Sequence, residues 1–260
     1  MKYGIHVLPS ELSGWAISFI DRFMINSIKG PEFTGIYSTS YRVGQASQIV
    51  YDSVNKAFLP FSFARYSDPE SNRNAVSQSI LLVFTLFTVV AFLIALFYKE
   101  IIFILDDRYS SGVKILLIIV FAFLFDGYRL IFNVPISYNL NFVKYRSIIF
   151  VATGILNIFL NLVLIPKYSI FGAAISLLIS FFIRFLVIFF VSLKALNINY
   201  YYKKMLQVFG LSMFLLSLTF FHICWYVLII KSTALIIIAI IYLKICSINL
   251  LEVSKKFLKS

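Results

Sequence analysis

From Ser79 to Phe97 the chain reads SILLVFTLFTVVAFLIALF, with no charged side chain. At a rise of about 1.5 Å per residue such a run crosses most of a ~30 Å hydrocarbon core. Lipid offers no partner to a peptide group, so the run must satisfy its hydrogen bonds within itself, as a helix. Composition extends this constraint to the whole chain. Hydrophobic residues make up 61% and charged ones 13%, with a mean hydropathy of +0.93. A soluble domain carries about 45–50% apolar and about 25% charged residues. The expected fold is all-α, a polytopic membrane helix bundle forming one transmembrane domain over residues 1–260.

About eight spans are expected from run length: Ile5–Ile28, Phe33–Arg65, Ala75–Tyr98, Val113–Pro135, Ser147–Ile165, Ile170–Leu193, Met205–Trp225 and Thr233–Ser247. The first two are joined by the short turn Lys29–Glu32. Pro60 is expected to bend or end the second, because proline removes a backbone donor. Arg65–Asn74 reads as a loop, with Pro69 at a helix entry. Tyr138–Arg146 and Asn197–Lys204 also read as loops. In the connection Lys99–Gly112, the apolar stretch Ile101–Leu105 is too short to span and is expected at the interface. Met1–Gly14 lacks the pattern of a signal peptide.

The net charge of +12 does not point to nucleic acid. With the N-terminus in the cytoplasm, the inner loops hold Lys2, Arg65, Arg73, Lys144, Arg146, Lys194, Lys203, Lys204, Lys244, Lys255, Lys256 and Lys259. The outer ones hold half as many, Lys29, Lys99, Arg108, Lys114, Lys167 and Lys231. That bias puts both termini in the cytoplasm. Cys224 and Cys246 fall at opposite ends of the last hairpin and should not pair. His6 and His222 lack a nucleophile or metal-ligand spacing beside them. Neither a metal, a cofactor nor an enzymatic activity is expected.

The second span departs from a plain anchor. On a helix, Ser38, Arg42, Gln45, Gln48, Asp52, Asn55 and Lys56 fall within roughly 140° of arc. Ile36, Val43, Ala46, Val50, Val54, Ala57 and Phe58 fall opposite. Polar groups facing lipid cost several kcal/mol each, so the stripe is expected to wall a hydrated cavity. Arg22, Arg129 and Arg184 are further basic groups within spans, and Asp21 and Asp126 further acidic ones, with Glu11 near a boundary. Asp52 with Lys56 at i, i+4 and Asp126 with Arg129 at i, i+3 can pair locally. Arg184 lies near the end of its span and is expected to snorkel to the interface. Asn157, Asn161, Gly172, Ser176 and Ser180 are expected to serve close helix packing. The basic excess suits an anionic substrate such as a lipid phosphate. The substrate-binding candidates are Arg22, Arg42, Gln45, Gln48, Lys56 and Arg129, and the ion-coupling candidates are Asp21, Asp52 and Asp126.

DRFMINSIKGPEFTGIYSTSYRV (Asp21–Val43) and NIFLNLVLIPKYSIFGAAISLLIS (Asn157–Ser180) resemble polysaccharide repeat-unit flippases. In that pattern an Asp-Arg pair precedes a turn and Gly-Ile-Tyr-Ser. Asn-x3-Asn and Ile-Pro-Lys-Tyr then precede Gly-Ala-Ala. Ser169 stands where the family usually has glycine. The resemblance covers Leu8 to about Ala195 and implies the multidrug/oligosaccharidyl-lipid/polysaccharide exporter superfamily. Such exporters have about 12–14 helices in two lobes around a central cavity. The family moves undecaprenyl-pyrophosphate-linked oligosaccharide (O-antigen or capsule repeat units) across the bacterial inner membrane, coupled to H⁺ or Na⁺. By this resemblance the chain corresponds to the second lobe, with Arg42 entering the cavity and a separate N-terminal lobe as partner. The alternatives are a multidrug/cation antiporter, which would favour an acidic cavity, and a truncated remnant without function. A polysaccharide polymerase or ligase would need a long external loop bearing catalytic residues.

Overall fold

The computed structural model of the chain describes residues 14, 17, 19–66, 69–98, 100–101, 112–138, 140–195 and 200–220. Among these the secondary structure is helical. The helices are α1 (19–29), α2 (Pro31–Tyr66), α3 (Pro69–Leu96), α4 (Val113–Tyr138), α5 (Leu140–Ala195) and α6 (Tyr202–Phe220). Stretches within α3, α4 and α5 (Val76–Leu96, Lys114–Tyr138 and Tyr145–Ala195) are long and apolar enough to cross a membrane. The last expected span, His6, Glu11, His222, Cys224, Cys246 and the basic tail lie outside the described residues.

Most boundaries follow local chemistry. Gly30 ends α1 with φ +95°, a conformation glycine adopts without a Cβ penalty, and Pro31 opens α2 with its φ already set for a helix. Pro69 opens α3 as expected. The sequence overstated the loops. Arg65–Asn74 and Tyr138–Arg146 are largely helical, since α2 runs through Tyr66 and α5 starts at Leu140. Their polar side chains are as compatible with a helix surface as with a loop. Pro60 does not end α2, which continues for another turn and a half beyond it.

The 56-residue α5 is a hairpin of two helices, not one rod. The guanidinium of Arg184 stands 4.8 Å from the ring centroid of Phe150. On a straight helix those residues would be about 50 Å apart. The reversal is at Ser169, whose φ of 54° and ψ of −133° are non-helical. Each arm, 140–168 and 170–195, is roughly 25 residues or more, enough for one crossing. This reproduces the expected separation of the fifth and sixth spans. A Cβ on Gly172 would sit 2.2 Å from the carbonyl oxygen of Leu164, so the arms can approach this closely only with glycine there.

The chain forms two compact units. The first takes residues up to Leu59 and Phe97–Asn197, and the second Pro60–Leu96 and the residues from Ile198. In the first, α2, α4 and the second arm of α5 run parallel, and α1 and the first arm run against them. Small residues set the α2–α4 contact. A Cβ on Gly44 would lie 2.7 Å from the Ile119 side chain, and one on Gly127 2.7 Å from the Tyr51 ring. The buried seam of α2 is therefore Tyr37, Ser40, Tyr41, Gly44, Ser47 and Tyr51, at helical spacing. This corrects the expected apolar face, of which Ala46 and Val50 are exposed. From α4 to α5, Phe125 meets Phe182 at 4.8 Å and Phe132 meets Phe189 at 5.0 Å, both edge-on. The core gathers near the hairpin turn, around Ile25, Tyr37, Ile119, Ile165, Ala173 and Leu177.

In the second unit α3 packs on α6. Val76, Ile80, Val83, Phe84, Phe87 and Ala91 are buried on α3, and Met205, Val208, Ser212 and Leu216 on α6. The hydroxyls of Thr88 and Ser212 donate to the carbonyls of Phe84 and Val208, four residues back, so they bring no unmet donor into the apolar contact.

Ser169 holds a backbone conformation close to the first central position of a type II′ turn, which glycine prefers. Its Oγ also has no hydrogen-bond partner among the described residues. Ser169→Gly is expected to stabilise the protein by about 1–2 kcal/mol. Gly172→Val should destabilise it through the collision with Leu164. Thermal melting in detergent, followed by helical circular dichroism, measures both.

Candidate functional site

The first unit carries an open cavity of about 290 Å³. Gln45, Gln48 and Asp52 line it from α2, Asp126 and Arg129 from α4, and Arg146, Phe150, Phe181 and Arg184 from the two arms of α5. The polar stripe read from sequence thus divides. Gln48 and Asp52 are half-buried at the cavity margin, and Gln45 lines it from a more exposed position. Arg42 and Lys56 are exposed and are not among the lining residues. Asp52 accepts from Gln48 Nε2 at 3.3 Å, one turn earlier.

The centre of the site is an aspartate held by two arginines. Arg129 donates from Nε to Asp126 Oδ1 at 2.7 Å and from Nη2 to Oδ2 at 3.0 Å, the expected i, i+3 pair. Arg184 donates from Nη2 to Asp126 Oδ1 across the helix interface. Arg184 is only 2% exposed, which overturns its expected snorkelling. The physical reason is that Asp126 supplies a buried counter-ion and two rings supply packing. Its guanidinium lies 4.3 Å from the Phe181 centroid and 4.8 Å from that of Phe150. Arg129 and Arg146 also stand over Phe150, at 5.0 and 5.8 Å. One ring thus stands within cation–π distance of three guanidiniums. The lining carries Arg129, Arg146 and Arg184 against Asp52 and Asp126, an excess of positive charge.

Asp21 lies apart from the cavity lining, fully buried in the core. It accepts from Tyr37 Oη at 3.0 Å and from Asn161 Nδ2 at 2.5 Å, and Asn161 Nδ2 also reaches Asn157 Oδ1 at 3.2 Å. Asn161 Oδ1 and Asn157 Nδ2 have no partner among the described residues. Arg22, half-buried, stacks at 4.7 Å from the Tyr41 centroid. Lys29 at the end of α1 donates to the carbonyl of Pro166 at 3.2 Å, tying α1 to the hairpin turn.

Sequence reasoning missed Arg146, read as a loop residue, and Arg184, read as an interfacial one. It also expected Asn157 and Asn161 to serve close helix packing. Their signal was two carboxamides one helical turn apart in an apolar run, which require a polar partner. Phe150 and Phe181 carried no signal among 29 phenylalanines.

An uncharacterized membrane protein of Methanocaldococcus jannaschii is 26% identical over 196 residues, covering 75% of this chain. The chain spans about half, 46%, of that protein's length. No family model matches the chain, and no solved structure matches it. With the long apolar helices, this similarity identifies the chain as a helical membrane protein, embedded in the bilayer.

Removing the Tyr37 hydroxyl would leave Asp21 Oδ2 without that donor in a fully buried site. Tyr37→Phe is therefore expected to destabilise the protein by about 1–3 kcal/mol. Asn161→Leu should do so by at least as much, since it strips the other carboxylate oxygen. A drop in melting temperature in detergent, with helix content retained at low temperature, is the measurement.

Proposed function

We propose that the chain forms one half of a transporter that moves a lipid-linked, anionic oligosaccharide across a membrane. The substrate class is an undecaprenyl-pyrophosphate-linked repeat unit of O-antigen or capsule, and the membrane is the bacterial inner membrane. The observation that carries this reading is the grouping of Arg129, Arg146 and Arg184 on the Phe150 ring at the wall of a cavity. Guanidinium forks suit phosphoryl oxygens, and an apolar ring holds them without competing for their protons. Gln45 and Gln48 add amide groups able to meet sugar hydroxyls.

In this reading the chain has about eight spans with both termini in the cytoplasm. Its cavity is completed by a first lobe, on the same or a separate polypeptide, as the greater length of the archaeal relative suggests. Asp21, with Asn157 and Asn161, serves as the site of the coupling ion, H⁺ or Na⁺. A buried carboxylate held by neutral groups can take up a cation without breaking an ion pair. The transport step itself makes and breaks no covalent bond.

Expression together with a first-lobe polypeptide, in cells lacking their own repeat-unit flippase, tests this. Surface polysaccharide should return, and Arg184→Lys and Arg129→Lys, which keep a charge for Asp126 but lose the two-donor edge, should each reduce export by more than any fall in protein level. Asp21→Asn should abolish the dependence of export on the ion gradient. Failure of the wild-type pair to restore polysaccharide, with resistance to cationic drugs gained, would assign the chain to the antiporters instead.

A further inference from the structure

Arg129 and Arg184 use the same edge of the guanidinium, Nε with Nη2, in different ways. Arg129 places both donors of that edge on Asp126. Arg184 places only Nη2 there, on the Oδ1 that Arg129 already occupies. Its Nε is buried and has no hydrogen-bond partner among the described residues. An unmet donor on a cation that is 2% exposed is costly. A carboxylate has two oxygens, and the local i, i+3 pair occupies both. The edge of Arg184 is thus built for two acceptor oxygens and is given one.

We propose that Asp126 is an internal stand-in for the phosphoryl group of the ligand, holding Arg184 in place until that group displaces it. This rests on the reading of the cavity as an anion site. The displacement needs no net loss of pairing at Asp126, because Arg129 keeps its two-donor grip on the carboxylate. Two phosphoryl oxygens then take Nη2 and Nε of Arg184 together, a bond pair stronger than the single one they replace. Nε is screened from solvent in the present arrangement, so the edge opens to a ligand only as Asp126 lets go. Phe150 and Phe181 both pack against the guanidinium, at 4.8 and 4.3 Å, and keep it from following the carboxylate. The device makes empty and loaded cavities differ at one inter-helix contact, between α4 and the second arm of α5.

The test uses the full chain purified in detergent, with inorganic pyrophosphate and undecaprenyl pyrophosphate titrated separately by calorimetry. Asp126→Asn removes the competitor's charge and should bind pyrophosphate about tenfold more tightly than wild type. Arg184→Lys keeps a charge for Asp126 but not the two-donor edge. It should bind about tenfold more weakly while still folding, with helix content retained. If the lipid probe shows both changes with higher affinity than the inorganic one, the ligand is a lipid headgroup. If the inorganic probe is the tighter, the ligand is a free anion, and the stand-in role holds in either case. If Asp126→Asn does not fold, Arg184→Lys decides alone. Equal binding by wild type and the folded variants overturns the stand-in and leaves the anion site standing. No binding of either probe to any form at millimolar concentration overturns both.

Discussion

Asp126 accepts hydrogen bonds from arginines on two helices, and in an apolar setting neither guanidinium can give up that contact unless another acceptor takes its place. Removing one partner from a buried ion pair costs about 3–5 kcal/mol, because the remaining charge has no water to turn to. The requirement fixes the register of α4 against the second arm of α5, since only one axial alignment brings Arg184 to the carboxylate. The aromatic contacts from Phe125 to Phe189 continue the same alignment along the two helices. These apolar rings would pack tolerably at neighbouring offsets, and the ion group would not. Specificity here comes from charge and bulk adhesion from the rings.

A second constraint acts at the hairpin end of the same unit. Asp21, Tyr37, Asn157 and Asn161 come from three helices and hydrogen-bond to one another in a core rich in Ile, Ala and Leu, with Asn157 Nδ2 and Asn161 Oδ1 left over. Lys29 adds a contact from α1 to the turn itself. The two polar nodes therefore sit on the same scaffold and share α5, whose first arm carries Asn157 and Asn161 as well as Arg146 and Phe150. A shift of that arm moves both nodes. In the proposed reading, coupling between an ion at one and an anion at the other would run through that shared arm.

Hydropathy made the helices legible, and turn chemistry made Gly30-Pro31, Pro69 and the break after Pro166 legible. The i, i+3 pair of Asp126 and Arg129 was readable because its partners are neighbours in sequence. What could not be read was the identity of partners far apart in the chain. Arg184 near a span's end looks interfacial until a carboxylate from another helix is known to face it. Arg146 looks like a loop residue when its helix starts unseen at Leu140. The tyrosine seam of α2 went unread because periodicity alone cannot tell which face of a helix meets a neighbour. Gly44 and Gly127 decide that, by allowing the backbones of α2 and α4 to close over Tyr51.

Phe150 carries no charge and makes no hydrogen bond through its side chain, yet three guanidiniums are arranged around its ring. It works as a neutral spacer that lets like charges share one wall at tolerable repulsion. A change there from phenylalanine to another apolar residue would keep hydropathy, volume class and topology, and would still alter the local electric field. In a chain so rich in phenylalanine, residues that tune electrostatics are thus hidden among those that merely face lipid, and polarity alone does not separate them.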